Sequence, residues 1–272
     1  MEKMKRAERM VAITQVLMLK PNVLTPLTLL AERFGTAKST ISEDLMAVKG
    51  SLLLLGQGHL ETIPGAAGGV RYIPEISREE ATQFLGNLAE RLSKKERILA
   101  GGFLYMNDIL FDPSVLRPLG LIFAGAFRDK KPDVVVTIET KGIPLALVTA
   151  EALGLPMVVI RTGNKVTEGS SVSINYVSGS SRRIQTMSLS RRALDPQRSV
   201  LIIDDFMKAG GTALGIKNLM AEFEAEVVGI GVLVEVQITD EPKLVEGYLS
   251  LLQLKEPDLD TGKMSVVPMV SF

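Results

Sequence analysis

Four short runs of apolar, mostly β-branched residues lie in the C-terminal two thirds of the chain, at residues 134–138, 157–160, 200–203 and 227–236. Helical patterns follow the first and third runs. Strands that are apolar on both faces form parallel sheets covered by helices on both sides. The sequence therefore predicts an α/β domain over residues 75–272, with a connecting helix within residues 75–98 and a parallel sheet flanked by helices.

The run at 200–203 leads directly into a polar motif, D-D-F-M-K-A-G-G-T, at residues 204–212. Ligands of parallel sheets bind at the carboxyl ends of the strands. The glycines and the helix N-terminus that follows them can bind a phosphate through backbone N–H groups. The carboxylates of Asp204 and Asp205 would repel a phosphate, so we expect them to face sugar hydroxyls or a magnesium ion. The motif thus predicts a phosphoribose ligand.

This motif resembles the 5-phosphoribosyl 1-diphosphate (PRPP) site of type I phosphoribosyltransferases. The resemblance implies that Asp204 and Asp205 bind the ribose 2- and 3-hydroxyls and that the loop at 208–212 binds the 5-phosphate. Residues 139–143, E-T-K-G-I, resemble the pyrophosphate loop of the same family, although an ordinary surface turn is the alternative. The predicted effector site comprises Thr140, Lys141, Gly142, Arg161, Lys165, Asp204, Asp205, Phe206, Met207, Lys208, Ala209, Gly210, Gly211 and Thr212.

The segment at residues 161–192 is rich in Ser, Gly and Arg and resembles the long hairpin that covers the site in that superfamily. Arg161 and Lys165 are candidate bases for the ligand. The remaining arginines have two interpretations, as solvated side chains or as a patch that faces DNA or a partner subunit. They are Arg182, Arg183, Arg191 and Arg192.

Three helices are predicted near the N-terminus, over residues 3–20, 26–34 and from residue 40 onward. Thr40 and Glu43 have the spacing of a capping box at the start of the third helix. An apolar stripe then follows at helical spacing, formed by Ile41, Leu45, Val48 and Leu52. Two helices joined by a short turn that contains Gly35 indicate a helix-turn-helix.

Residues 60–74 form two short extended runs around P-G-A-A-G-G, which predicts a hairpin in the position of a wing. Residues 1–73 carry nine Lys or Arg and six Asp or Glu, whereas the whole chain is neutral. A basic N-terminal module favours nucleic-acid binding, and a protein-interaction module is the alternative. We predict a winged helix-turn-helix over residues 1–74. Its predicted DNA contacts are Lys5, Arg6, Lys38, Ser39, Thr40, Ser42, Lys49 and Arg71.

Nearly the full length of the chain resembles the purine operon repressors of Gram-positive bacteria. The resemblance lies in residues 38–45, 64–70, 164–170, 174–181 and 204–211. It implies a homodimeric transcription regulator of purine biosynthesis and transport genes, in which PRPP modulates binding to double-stranded operator DNA. Whether the regulator represses or activates transcription stays open.

Ala209 stands where catalytic type I enzymes usually have Thr or Ser, and nothing in the sequence indicates a hood for a purine base. We therefore expect effector binding rather than catalysis. The first alternative is an active purine phosphoribosyltransferase with an accessory N-terminal domain. A second is an RNA-binding attenuation protein of similar fold.

The composition excludes several other classes of protein. The chain has no cysteine and one histidine, His59, so disulfides and cysteine-ligated metals are excluded and no metal site is predicted. We expect no required cofactor, with PRPP as the effector and Mg²⁺ as its candidate companion ion. No apolar stretch approaches the roughly 18 residues that span a bilayer. We expect a cytoplasmic protein with no membrane partner.

Overall fold

The computed structural model describes residues 4–65, 68–99, 103–163, 169–177, 183–237, 242–255 and 265–269. It contains two compact units. The first consists of residues Met1–Ser77 with Glu151–Gly154, and the second of residues Arg78–Ala150 and Leu155–Phe272. Within the described residues, no helix is long and apolar enough to cross a membrane.

The first unit has three helices followed by a hairpin, which is the order expected of a winged helix-turn-helix. The elements are α1 (Arg6–Met18), α2 (Leu27–Arg33), α3 (Lys38–Leu54), β1 (His59–Ile63) and β2 (Gly69–Ile73). Strands β1 and β2 pair antiparallel, and Thr25 adds a bridge to Val70 as a short third strand. The predicted stripe on α3 is buried in the core of this unit, so the predicted orientation of the helix is confirmed.

The start of α3 differs from the prediction. The helix begins at Lys38, and its N-cap residue is Ala37, whose side chain makes no capping hydrogen bond. The predicted capping box is therefore wrong, because Thr40 already lies in the first helical turn. Gly35 explains the difference: its left-handed backbone, with φ of +58°, ends α2 in a tight turn that lets α3 start at once.

The second unit begins with helices and two very short strands. These elements are α4 (Arg78–Leu92), β3 (Ile98–Leu99), β4 (Phe103–Leu104), α5 (Asn107–Leu110) and α6 (Pro113–Phe127). The alternating part follows, with β5 (Val134–Ile138), α7 (Gly142–Leu153), β6 (Met157–Thr162), β7 (Ser171–Val177), β8 (Ile184–Ser190), β9 (Ser199–Met207) and α8 (Gly211–Glu222). The unit ends with β10 (Glu226–Val236), β11 (Leu249–Leu254) and β12 (Val266–Pro268).

One eight-stranded sheet organises the second unit, in the order β12-β11-β10-β9-β5-β6-β8-β7. The strands from β11 to β6 are parallel, as predicted for the four apolar runs. The antiparallel hairpin β7–β8 at one edge lies in the segment 161–192, where a long hairpin was predicted, whereas the parallel strand β11 and the antiparallel edge strand β12 were not predicted. After β5 the chain first adds β6 on one side and then β9 on the other. The carboxyl ends of β5 and β9 therefore flank a topological switch point, where ligands of such sheets bind.

The charged run at residues 94–97 is exposed over its first three residues, whereas Arg97 has an acidic partner. Arg97 donates from both terminal nitrogens to Asp108, at 2.8 and 2.6 Å, and its side chain is only 12% exposed. Arg91 donates to the same carboxylate at 2.9 Å. This pairing ties the end of α4 to α5. Runs of charge in sequence do not reveal such a partner, because Asp108 lies eleven residues away.

Candidate functional site

A cavity of about 620 Å³ lies at the switch point between β5 and β9. The loop after β5 and the loop after β9 both line it, so the two motifs singled out in the sequence meet in space. The predicted site residues on its wall are Thr140, Lys141, Asp204, Asp205, Phe206, Met207, Lys208, Gly210, Gly211 and Thr212.

Asp204 and Asp205 place two adjacent carboxylates on this wall. Asp204 Oδ1 accepts a hydrogen bond from the backbone N–H of Asp205 at 3.0 Å. Removal from water, followed by the charge of Asp205, raises the pKa of Asp204 well above its ordinary value. Desolvation also raises the pKa of Asp205, while Asp204 and the charge of Lys141 oppose that rise. A cation or several hydroxyl donors would relieve the repulsion within this pair.

The loop after β5 approaches the carboxylates closely at Gly142. A Cβ atom on Gly142 would lie 2.8 Å from Asp204 Oδ1 and would also collide with the hydroxyl of Thr137. The peptide bond between Glu139 and Thr140 is cis. Thr137 Oγ1 is buried and has no hydrogen-bond partner among the residues that the structure describes. Gly142 thus helps to shape the site although it does not line the cavity.

The loop after β9 has the backbone of an anion site. Gly210 adopts the left-handed region, with φ of +85°, and is the N-cap of α8 without a capping side chain. Glycine adopts this conformation at little cost. The first amides of the helix therefore have no side-chain acceptor from the cap, and they point toward the same end of the sheet as the cavity.

Of the predicted effector residues that the structure describes, Gly142, Arg161 and Ala209 do not line the cavity. Arg161 donates to Glu139 at 3.2 Å, and Glu139 also accepts from the backbone N–H of Thr162 at 2.7 Å. Lys165 lies outside the described residues. The contacts of Arg161 with an effector stay a prediction.

The cavity has a further wall that the sequence analysis missed. It is formed by Leu99, Leu104, Tyr105, Met106 and Asn107. Leu99 and Leu104 belong to strands β3 and β4, which pair antiparallel. The N–H of Tyr105 extends this pairing by donating to the C=O of Arg97 at 2.8 Å. The two apolar pairs around Gly101 and Gly102 were the available hairpin signal. Nothing in the sequence indicated a hood for a purine base, and this wall lies beside the sugar-phosphate motifs.

The β7–β8 hairpin also contributes to the cavity, as its predicted resemblance implies. Tyr176 and Gln185 line the cavity, and Tyr176 Oη donates to Gln185 Oε1 at 2.8 Å. Desolvation, and then the charge of Asp204, raises the pKa of Tyr176. The phenol therefore stays protonated and can donate a hydrogen bond within the site.

In the first unit, the predicted DNA contacts fall into two groups. Lys5, Lys38, Ser39, Ser42 and Lys49 are exposed, and Thr40 is half-buried in the first turn of α3. The two predicted arginine contacts, Arg6 and Arg71, have acidic partners. Arg6 Nε lies 3.1 Å from Asp44 Oδ1, and Arg71 Nε lies 2.5 Å from Glu61 Oε2 on the neighbouring strand. Asp44 is buried and pairs with both Arg6 and Arg9 of α1.

Comparisons with known proteins agree with both units. Residues 5–74 match the family described as "Bacterial purine repressor, N-terminal", and residues 107–250 match "Phosphoribosyl transferase domain". The crystal structure of adenine phosphoribosyltransferase from Thermoanaerobacter pseudethanolicus covers 62% of this chain and 98% of its own, with a TM-score of 0.52 and 20% identity. That likeness supports the fold of the second unit.

Two relatives match over almost the whole chain. The purine biosynthesis transcriptional repressor PurR of Bacillus subtilis is 54% identical, over 93% of this chain and 88% of its own length. The purine biosynthesis transcriptional activator PurR of Lactococcus lactis is 43% identical, over 97% of both chains. Given these full-length relatives and the match of residues 5–74, the chain belongs to the bacterial purine repressor family.

Proposed function

We propose that this protein is a DNA-binding transcription regulator of purine biosynthesis and transport genes, and that PRPP is the effector that modulates its binding to operator DNA. It acts in the cytoplasm. The observation that carries the proposal is the meeting of the two-carboxylate motif and the glycine loop at one switch point, in a chain whose full-length relatives are named as transcription regulators.

The chemistry of the cavity fits the parts of PRPP in order. Asp204 and Asp205 accept hydrogen bonds from the ribose hydroxyls, and the amides around Gly210 and Gly211 bind the 5-phosphate. Thr140 and Lys141 lie on the other loop, where a basic side chain can bind the diphosphate. The cavity of about 620 Å³ is ample for a sugar that carries both groups.

Mg²⁺ fits this site as a companion of the diphosphate. Magnesium is usually held by one or two carboxylates together with phosphate oxygens and water. The desolvated pair of Asp204 and Asp205 supplies such carboxylates, and the described residues hold no group of three or more candidate metal ligands. A bound Mg²⁺ would neutralise part of the ligand's charge.

We place the DNA contacts on the exposed N-terminal half of α3 and on the hairpin of the first unit. Lys38, Ser39 and Ser42 are exposed there, and helix N-termini attract phosphate. One such module has a small footprint, and a symmetric homodimer doubles it. Analytical ultracentrifugation at micromolar concentration is expected to give a dimer. A monomer with full operator affinity would contradict the dimer.

An active purine phosphoribosyltransferase is the second candidate function. It is favoured by the wall from Leu104 to Asn107, which lines the same cavity as the two phosphoribose motifs. Ala209 argues against turnover, because a hydroxyl at that position would add a phosphate contact. Incubation of the protein with PRPP and each purine base separates the two functions: nucleotide and pyrophosphate form only if the protein is an enzyme.

The proposal is tested by gel-shift titration of genomic fragments from purine genes with and without PRPP. We expect sequence-specific binding whose affinity changes as PRPP is raised. Coupling between two ligands typically amounts to about 1–3 kcal/mol, or roughly 5- to 150-fold in affinity. An operator affinity that stays constant at saturating PRPP would contradict the effector role.

A further inference from the structure

A buried polar cluster lies at the end of β10, outside every motif identified above. Its centre is Glu235, whose side chain is 7% exposed. Gln253 Nε2 donates to Glu235 Oε1 at 2.8 Å, and Tyr248 Oη donates to Glu235 Oε2. Lys243 Nζ lies 3.5 Å from the same Oε2. One buried carboxylate therefore binds three side chains from later in the chain.

Two of these side chains belong to the segment 242–248. Lys243 Nζ also donates to the carbonyl of Val236, at 2.6 Å, so the start of the segment is attached to the last residue of β10. Tyr248 attaches the end of the segment to Glu235. Burial and then the hydrogen bond to Glu235 raise the pKa of Tyr248, so the phenol remains a donor. Both ends of the segment are thus anchored on one carboxylate, and we call Glu235, Lys243 and Tyr248 the latch.

The middle of the same segment contacts the loop that follows β9. Leu244 N–H donates to the carbonyl of Ala209 at 2.9 Å. Val245 is buried in the core, and a Cβ atom on Gly210 would lie 3.1 Å from its Cγ2 atom. Loop residues Lys208, Gly210 and Gly211 line the cavity whereas no residue of the segment does, so the segment packs against the loop from outside the cavity.

The contact with Ala209 determines which way the next amide points. The peptide bond between Ala209 and Gly210 is trans, and in a trans peptide the C=O and the N–H point in opposite directions. Because Leu244 binds the carbonyl of Ala209 from outside, the N–H of Gly210 is directed away from Leu244, toward the cavity side of the loop. A carbonyl turned the other way would repel a phosphate.

We propose that the latch positions the phosphate loop, so that Glu235, Lys243 and Tyr248 determine the affinity for the 5-phosphate of the effector without touching it. The proposal rests on the proposed function for the identity of the ligand. In this proposal, the phosphate loop at 208–212 is held in place by a segment that lies about 35 residues later in the chain. The residues concerned are positioning residues.

The test compares Lys243→Met with wild type in the full-length protein by isothermal titration calorimetry. The probes are PRPP and ribose 5-phosphate. Loss of the ammonium frees the start of the segment, so we expect both affinities to fall by the same factor, roughly tenfold or about 1.4 kcal/mol. Lys243→Arg keeps a donor and is expected to recover most of the affinity. Lys217→Met, which removes an exposed ammonium on α8, is the matched control and should bind both probes normally.

A second variant separates positioning from general damage. Lys141→Met alters the diphosphate end, so it should weaken PRPP binding much more than ribose 5-phosphate binding, whereas the latch variant weakens both by the same factor. Operator binding without effector should be unaffected by Lys243→Met. If circular dichroism shows that Lys243→Met is not folded, Tyr248→Phe replaces it, because that change removes only one hydroxyl. Its affinities for PRPP and ribose 5-phosphate are then measured in the same way.

The outcomes separate the two hypotheses. Unchanged affinity of folded Lys243→Met and Tyr248→Phe for ribose 5-phosphate would overturn the latch and leave the proposed function intact. A wild-type protein that binds ribose 5-phosphate but not PRPP would contradict the proposed function, while the ribose 5-phosphate measurements would still test the latch.

Discussion

Arg9 donates from Nε to Asp44 Oδ2 at 2.6 Å, and both side chains are buried between α1 and α3. Arg6 binds the other oxygen of this carboxylate, Asp44 Oδ1, and the side chain of Arg6 is 62% exposed. The helix that presents the predicted DNA contacts is thus fixed to α1 by a charged pair as well as by apolar packing. Breaking such a pair leaves a buried charge without compensation.

We expect Asp44→Ala to lower the free energy of unfolding of the first unit by about 3–5 kcal/mol, because Arg9 would remain buried without its partner. Urea denaturation followed by circular dichroism measures this loss. Glu43→Ala changes an exposed carboxylate in the next position and is the matched control. Equal stability of the two variants would show that the pair does not hold α3.

Lys38 is exposed at the first residue of α3, where it can neutralise a DNA phosphate. Lys38→Ala should weaken operator binding and reduce the slope of log affinity against log salt by about 0.9, the value for one phosphate contact. Fluorescence anisotropy at several salt concentrations measures both quantities. Lys217→Ala, on the second unit, should leave the slope unchanged. A wild-type slope for Lys38→Ala would place the DNA on another face.

Arg71 is paired with Glu61 across the hairpin. A partly exposed pair of this kind contributes little to stability, typically about 0–1 kcal/mol. The guanidinium can therefore leave Glu61 at little cost and reach a DNA phosphate, as the sequence-based expectation requires.

The raised pKa of Asp204 has consequences for stability. A carboxyl group whose pKa is raised in the folded state contributes stability below its unfolded pKa, and that contribution is lost as the pH rises through the folded pKa. We therefore expect Asp204→Asn to raise the stability at neutral pH. The difference from wild type should shrink as the pH falls toward ordinary carboxyl values. Thermal melts across pH would contradict this if Asp204→Asn were less stable at neutral pH.

Gly142 tests the close approach between the two ligand loops. Gly142→Ala adds a Cβ atom where Asp204 Oδ1 would be 2.8 Å away, so the loop after β5 must move. We expect PRPP affinity to fall by at least about tenfold, or 1.4 kcal/mol. Gly86→Ala is the matched control, because it lies in α4 with open space and should add roughly 0.5–1 kcal/mol of stability. If Gly142→Ala bound PRPP normally, the loop after β5 would not be part of the PRPP site.

Residue patterns were sufficient to predict the elements that carry ligand chemistry. The apolar run at 200–203 indicates a buried strand. The glycines that follow it indicate a backbone with a left-handed residue, and Gly210 adopts that conformation. The stripe from Ile41 to Leu52 likewise predicted the buried face of α3. Such features depend on local geometry, so a short stretch of sequence contains them.

Long-range partners could not be predicted in this way. The Arg97–Asp108 pair, the wall from Leu104 to Asn107 and the latch at Glu235 depend on which strands become neighbours. The capping box at Thr40 failed for a related reason: its spacing was correct, but the turn at Gly35 started the helix two residues earlier. The buried ion pairs of Asp44 could not be predicted either, because its partners lie 35 and 38 residues away.

The central claim is that the cavity at the end of β9 senses PRPP and changes the affinity for DNA. The most direct test is the operator affinity of the Asp204→Ala, Asp205→Ala double variant, measured by gel shift across a PRPP titration. The change removes the ribose contacts, adds no bulk and leaves the predicted DNA contacts in place. We expect wild-type operator affinity without PRPP and no response to PRPP. A double variant that responds to PRPP as the wild type does would place the effector site elsewhere and contradict the account.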